Sequence, residues 1–245
     1  MRKQILEQER ITMKKLMNRI TAGMILIIVA IFTISCGPTP AATPEITVDP
    51  LRYSEAINKF KSADSIAMPK PNSILFVGSS SIVGWKTLAE DLPQIDVINR
   101  GFGGSHLSDL IYFMDDIVFP YKPNAIVVYE GDNDIAAGLS PESFYRNYLT
   151  FTTKTLEKWP ELPIFFISIK PSLDRIEHFD TMARANALVK AYIDTQDNQY
   201  YIDVFNAMLG EDGQPLPEIF GHDGLHLNAK GYEIWTREVS KELGL

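Results

Sequence analysis

Cysteine is nearly absent from this chain of 245 residues, where Cys36 stands alone. A single thiol excludes an internal disulfide framework and any cysteine-rich zinc site. Long apolar runs are also scarce. The stretch Ala22–Ile34 spans only 13 residues, too few to cross roughly 30 Å of hydrocarbon comfortably as a helix. No internal repeat is visible, which leaves out solenoids and arrays. Excess positive charge is missing too: 23 Lys and Arg face 31 Asp and Glu, a formal net charge of −8. Six of those basic residues and only two acids fall within positions 1–36, so the remainder holds 17 basic and 29 acidic residues, a net of −12. A body that acidic repels polyphosphate and argues against nucleic acid as a partner. What is present is an ordinary globular composition, 45% hydrophobic and 22% charged, with room for one sizeable core.

The asymmetry of charge marks the first segment. Lys14, Lys15 and Arg19 precede the apolar run, and Thr33-Ile34-Ser35-Cys36 follows it. A positive flank, a short apolar stretch and a small residue at the break are the parts of an export signal. Met13, directly before Lys14, is an alternative start. The break resembles a bacterial lipoprotein lipobox, with Ser35 in the small position and Thr33 departing from the usual leucine. That resemblance implies lipidation of Cys36, membrane attachment through the lipid and a place in the cell envelope. A noncleaved anchor and a plain secretory signal are the alternatives. Residues 37–50, with Pro38, Pro40, Pro44 and Pro50, read as an extended tether, leaving residues 51–245 as the folded domain.

Within that domain Leu51, Ala56, Ile57, Phe60 and Ala63 have roughly helical spacing. Apolar runs bounded by turn residues then recur at 74–77, 97–98, 125–129, 164–167 and 200–204. Continuous rather than alternating hydrophobicity predicts strands buried on both faces, as in parallel sheets. Helices are predicted over about 106–117, 141–159, 180–196 and 229–243. Ser140 and Asn228 stand where N-caps belong, with Pro141 at the first helical position. Strands alternating with helices predict an α/β domain with helices on both faces of a mainly parallel, five-stranded sheet.

In such sheets ligands lie outside the carboxyl ends of the strands. The first strand runs into Gly78-Ser79-Ser80-Ser81, the second into Asn99-Arg100-Gly101-Phe102-Gly103-Gly104-Ser105, and the third into Glu130-Gly131-Asp132-Asn133-Asp134. Gly221-His222-Asp223-Gly224-Leu225-His226-Leu227-Asn228 precedes the last helix. These residues supply the parts of acyl transfer. A serine hydroxyl is a weak nucleophile that needs a base within hydrogen-bond reach and a third group orienting that base. Asp223, three positions ahead of His226, can turn back within one loop and accept from the imidazole Nδ1–H. Nε2 is then left for a serine on the rim. Glycine N–H groups and an asparagine amide suit a developing oxyanion.

Four blocks in this order resemble the SGNH, or GDSL-type, hydrolases from about Ser73 to the C-terminus. The resemblance implies a three-layer αβα, flavodoxin-like domain and metal-free, cofactor-free hydrolysis of esters or thioesters. It implies Ser80 as nucleophile, Asp223 and His226 as its partners, and an oxyanion hole from the Ser80 and Gly104 N–H groups and the Asn133 side chain. Ser79 replaces the aspartate of the family name, so alignment rather than chemistry favours Ser80 over Ser79 and Ser81. A small-molecule or glycan ester is the expected substrate, with short-acyl or carbohydrate O-acetyl esters first. A lysophospholipase or thioesterase, and a noncatalytic glycan-binding lipoprotein, are the alternatives.

Other signals weigh less. The Gly101–Gly104 spacing is not G-x-G-x-x-G, which argues against a dinucleotide. His222 and His226 echo a zinc-protease helix, but Gly221 and Gly224 break helical spacing and no third ligand is evident. His222 reads as a loop residue and His106 as structural or solvent-facing. Tyr112, Phe113, Tyr145 and Tyr148 read as core, while Trp85 and Phe102 are candidates to line an acyl or sugar pocket.

Overall fold

A computed structural model describes residues 47–245; the export segment, Cys36 and most of the proline-rich tether lie outside the described residues. The five apolar runs form β1 (Ile74–Gly78), β2 (Val97–Gly101), β3 (Ala125–Tyr129), β4 (Ile164–Ile167) and β5 (Gln199–Ile202). Their order is β2-β1-β3-β4-β5 and every pairing is parallel, the doubly wound arrangement in which a strand-order reversal opens a crevice beside the first strand. Registers run in step there: Gly78 lies opposite both Gly101 and Tyr129, so three strand ends reach one level.

Ten α-helices among the described residues connect or cover the strands. They are α1 (Ser54–Ile66), α2 (Ser80–Gly84), α3 (Leu88–Asp91), α4 (Leu107–Tyr112), α5 (Met114–Ile117), α6 (Asp132–Ala136), α7 (Pro141–Lys158), α8 (Phe179–Ile193), α9 (Val204–Ala207) and α10 (Ala229–Leu243). The predicted caps are in place. Ser140 Oγ accepts from the Ser143 N–H at 3.2 Å, and Asn228 Oδ1 accepts from Lys230 and Gly231 N–H groups at 2.9 and 3.3 Å. Both satisfy donors that a helix start leaves without intrahelical partners.

Alternating strand side chains sort the core into two layers. Leu75, Val77, Ile126, Val128 and Phe166 pack with residues of α1, α4, α7 and α8; Phe76, Val127, Tyr129 and Phe165 pack with α2 and α10. This is the expected three-layer αβα architecture. Several boundaries shift for local reasons. The helix predicted over 106–117 is two pieces that meet at Phe113, whose φ and ψ are −93° and 10°. The last strand ends at Ile202, because Asp203 accepts from the Asn206 N–H at 3.0 Å and starts α9. Leu51 precedes α1 and is 81% exposed.

The aromatic expectations need correction. Trp85 and Phe102 are each 1% exposed and build the core, though both also border a shallow cavity with Ala56, Phe60 and Leu88. Trp85 stacks on Tyr232 and meets Phe76 and Trp235 edge-on; Phe102 meets Tyr53 and Phe113 edge-on. Phe113 and Tyr148 are buried and Tyr145 partly so, but Tyr112 is 55% exposed.

Candidate active site

The rim begins where β1 turns into α2. Gly78 has φ +142°, and a Cβ there would lie 2.0 Å from the Tyr129 carbonyl oxygen. Only glycine fits that turn. Ser79 then caps α2 in extended conformation and Ser80 is its first residue, whose N–H has no carbonyl one turn back within the helix. The three serines separate by burial: Ser79 and Ser81 are buried at 0% and 1% exposure, whereas Ser80 is half-buried. Ser80 Oγ lies 2.9 Å from His226 Nε2. Geometry thus singles out the serine that alignment preferred.

His226 is carried on a small hairpin. Phe220 and Leu227 form an antiparallel bridge, and the Gly221 N–H donates to the His226 carbonyl at 2.8 Å. Gly224 supplies the turn at φ +63°, and its carbonyl accepts from the Leu173 and Asp174 N–H groups at 2.9 and 3.1 Å. Inside the hairpin His226 Nδ1 is 2.6 Å from Asp223 Oδ2, while Asp223 Oδ1 accepts from the Leu225 and His226 N–H groups, both at 3.0 Å. The imidazole bond first, then the two backbone donors, hold the Asp223 carboxyl well below the usual carboxylate range. An ionised Asp223 keeps the ring proton on Nδ1, so Nε2 is free to accept from Ser80. His222 is an exposed loop residue.

The facing wall comes from the second and third strand ends. Gly104 has φ +78°, and its carbonyl accepts from the Tyr53 hydroxyl at 2.7 Å and Arg52 Nη2 at 3.2 Å. These bonds anchor the peptide that follows Gly104. Gly131, at φ +119°, starts α6, and a Cβ there would lie 2.5 Å from Ile169 Cδ1. The half-buried Asn133 follows; its Nδ2 donates to the Ser105 carbonyl at 2.9 Å and its Oδ1 accepts from Arg175 Nη2 at 3.0 Å. With one amide hydrogen and the carbonyl engaged, the remaining Nδ2–H is held in a set direction. Ser80, Gly104, Asn133, Arg52, Arg175 and His226 line one open cleft.

A buried acidic layer supports this wall. Ser105 Oγ lies 2.6 Å from Glu130 Oε1, and Asp134 accepts from the Leu107 N–H at 3.1 Å. Burial, reinforced by Asp134, pushes the Glu130 carboxyl far up, and burial pushes Asp134 up to about 7. Burial would also raise Asp132, but Lys170 and Arg175, 3.3 and 3.5 Å away, outweigh it and hold that carboxyl down. His106, 8% exposed, has Nδ1 2.9 Å from Asp109 Oδ2 in a reciprocal cap of α4 and also borders the cleft.

Sequence reasoning missed Arg52, Tyr53 and Arg175. No motif marks them. Arg175 lies in the loop following β4, where the strand-end rule points, whereas Arg52 and Tyr53 reach Gly104 from the segment leading into α1. Among the described residues no group of three or more His, Cys, Asp or Glu is gathered to hold a metal ion.

An all-parallel 2-1-3-4-5 sheet with a cleft at its carboxyl edge is the flavodoxin-like, doubly wound α/β architecture, and solved structures share it. A protein of Streptococcus pneumoniae provisionally described as a platelet activating factor is 23% identical over 78% of this chain and 92% of its own, with TM-score 0.70. A GDSL-like lipase of Bacteroides thetaiotaomicron is 18% identical over 77% and 98%, with TM-score 0.64. An acetyl-xylooligosaccharide esterase of Geobacillus stearothermophilus is 19% identical over 73% and 97%, with TM-score 0.56. No match is found among the curated proteins. Residues 64–234 match the GDSL-like Lipase/Acylhydrolase family, and the chain belongs to it. It is a hydrolase acting on esters.

Proposed function

We propose that the protein is a serine esterase that removes short acyl groups, acetyl foremost, from carbohydrate esters. One observation carries the mechanism: the unbroken chain from Ser80 Oγ to His226 Nε2 at 2.9 Å and from His226 Nδ1 to Asp223 Oδ2 at 2.6 Å. His226 takes the Ser80 proton as Oγ attacks the ester carbonyl. Asp223 orients the ring and stabilises the imidazolium. The N–H groups of Ser80 and Gly104 and the Asn133 amide receive the oxyanion. His226 returns the proton to the leaving alcohol, then draws one from the water that cleaves the acyl-enzyme.

The short-acyl reading rests on the cleft wall. Ala136, Ala137 and Leu225 are the apolar side chains among its described lining residues. At about 0.8 kcal/mol per buried methylene, so little apolar surface rewards an acetyl group but not a fatty chain. The acetyl-xylooligosaccharide esterase that shares the fold supports a sugar ester. Purified protein is expected to release acetate from an acetylated xylo-oligosaccharide, and Ser80→Ala to abolish release while the far-UV spectrum stays unchanged. Release by Ser80→Ala at the parent rate would exclude the mechanism. Faster turnover of a long-chain lysophospholipid would exclude the short-acyl reading.

Cys36, the chain's single cysteine, supports lipid attachment at the cell envelope, with residues 37–50 holding the 51–245 domain off the membrane. Labelling with radioactive palmitate is expected in cells expressing the full chain and not its Cys36→Ala variant. Equal labelling of both would exclude that site.

A further inference from the structure

The cleft around Ser80 is charged opposite to the protein that contains it. Acids outnumber bases by 31 to 23 in the chain, yet no aspartate or glutamate is among the described residues lining the cleft, while Arg52 and Arg175 both are. Their charges are not cancelled locally. Asp132 is shared between Lys170 and Arg175, at 3.3 and 3.5 Å, so one carboxylate faces two cations. The guanidinium of the exposed Arg52 makes its one hydrogen bond among the described residues to the Gly104 carbonyl at 3.2 Å, and lies 5.0 Å from the Tyr53 ring centroid. A guanidinium has five donors in a planar fork, so most of the Arg52 donors remain open beside the glycine of the proposed oxyanion hole. An arginine held this way presents a fork suited to a carboxylate or phosphate.

We infer that the substrate bears an anionic group, a carboxylate or a phosphate, close to the scissile ester, and that Arg52 selects for it with Arg175 adding to the field. This deepens the esterase reading and rests on it. An acetyl group carries no charge, so the anion belongs to the alcohol part, as in an acetylated acidic sugar or a sugar phosphate. The acidic outer surface does not forbid this. Exposed charges farther away than about 8 Å are largely screened at physiological salt, whereas the cleft arginines act at contact.

The test compares two acetyl esters that differ in one group, 4-acetoxybenzoate and 4-acetoxybenzamide, with 4-acetoxyphenyl phosphate as the phosphate arm. Full-length, detergent-solubilised protein is expected to favour at least one anion over the amide by about tenfold in kcat/KM, the worth of one hydrogen bond to a charged group. The better anion tells an acidic sugar from a phosphate. Raising sodium chloride to 0.5 M should shrink the ratio, and Arg52→Gln should bring it near one. Reading a ratio cancels any common loss caused by loosening Gly104, and Arg175 is left intact because it also holds Asn133. A ratio at or below one in the parent, or one that Arg52→Gln leaves unchanged, overturns the inference. Binding of the same esters to Ser80→Ala and to Ser80→Ala with Arg52→Gln reads the charge preference without turnover. Anion binding that depends on Arg52, together with a parent that hydrolyses none of the three esters, would uphold the anion site at Arg52 and count against the esterase reading on which the substrate assignment rests.

Discussion

Two groups of carboxylates serve the same cleft under opposite conditions. Asp223 is half exposed on a hairpin held by glycines, and its charge is kept by hydrogen bonds from the His226 ring and the Leu225 and His226 N–H groups. Glu130 and Asp134 are fully buried behind the Gly104–Asn133 wall, and burial drives them toward the neutral acid. The contrast teaches that residue type does not fix the role here. A carboxylate that must stay ionised is given donors and water, while carboxyls that only hold Ser105 and Leu107 in place are put where charge is costly.

The comparison is broken most severely at the exposed pair. Asp223→Asn should lower kcat on a short-chain aryl ester by on the order of 10³–10⁴, because the amide no longer fixes the Nδ1–H tautomer. A loss below tenfold would mean that the hairpin alone orients the ring. Asn133→Ala should follow at about 10²–10³ in kcat with KM little changed, the worth of one oxyanion donor. A rise in KM with kcat preserved would make Asn133 a binding group instead.

The buried layer should answer in stability rather than rate. Asp134, raised to about 7, keeps a proton in the folded chain that the unfolded chain releases near the ordinary carboxylate value. It therefore costs nothing in acid and destabilises increasingly as pH climbs toward 7, levelling off above. Asp134→Asn should flatten that dependence and raise stability at pH 8 by about 4 kcal/mol relative to pH 4, as read from urea midpoints at each pH. Parallel curves for parent and variant would show that folding leaves the Asp134 pKa unshifted. The smallest effect belongs to His222, exposed on the same hairpin: His222→Ala should change activity less than twofold and stability within about 0.5 kcal/mol, and a larger loss of rate would give it a part in the chemistry.

Much of this was legible in the sequence because strand ends in a parallel sheet announce themselves. Runs such as Ala125–Tyr129 are apolar throughout, and Gly78, Gly104 and Gly131 sit where backbones must turn sharply, so serine, glycine and asparagine blocks could be placed on one rim. The choice of Ser80 over Ser79 and Ser81 was legible by alignment but not by chemistry, since it depends on which hydroxyl escapes burial. Nor were Tyr53 and Arg52 on Gly104, contacts spanning 51 and 52 positions, or Arg175 on Asn133, spanning 42. Trp85 and Phe102 lie in the core and border a cavity other than the Ser80 cleft, because nearness in sequence to a reactive block does not say where a ring points. The break at Phe113 escaped because α4 and α5 carry one continuous apolar stripe.

The central claim is that Ser80 alone of its triplet is activated through His226. Reaction of the protein with a fluorophosphonate, followed by peptide mass mapping, tests it directly. The account predicts a single adduct on Ser80 that disappears in His226→Ala; an adduct on Ser79 or Ser81, or undiminished labelling of Ser80 without the imidazole, would contradict it.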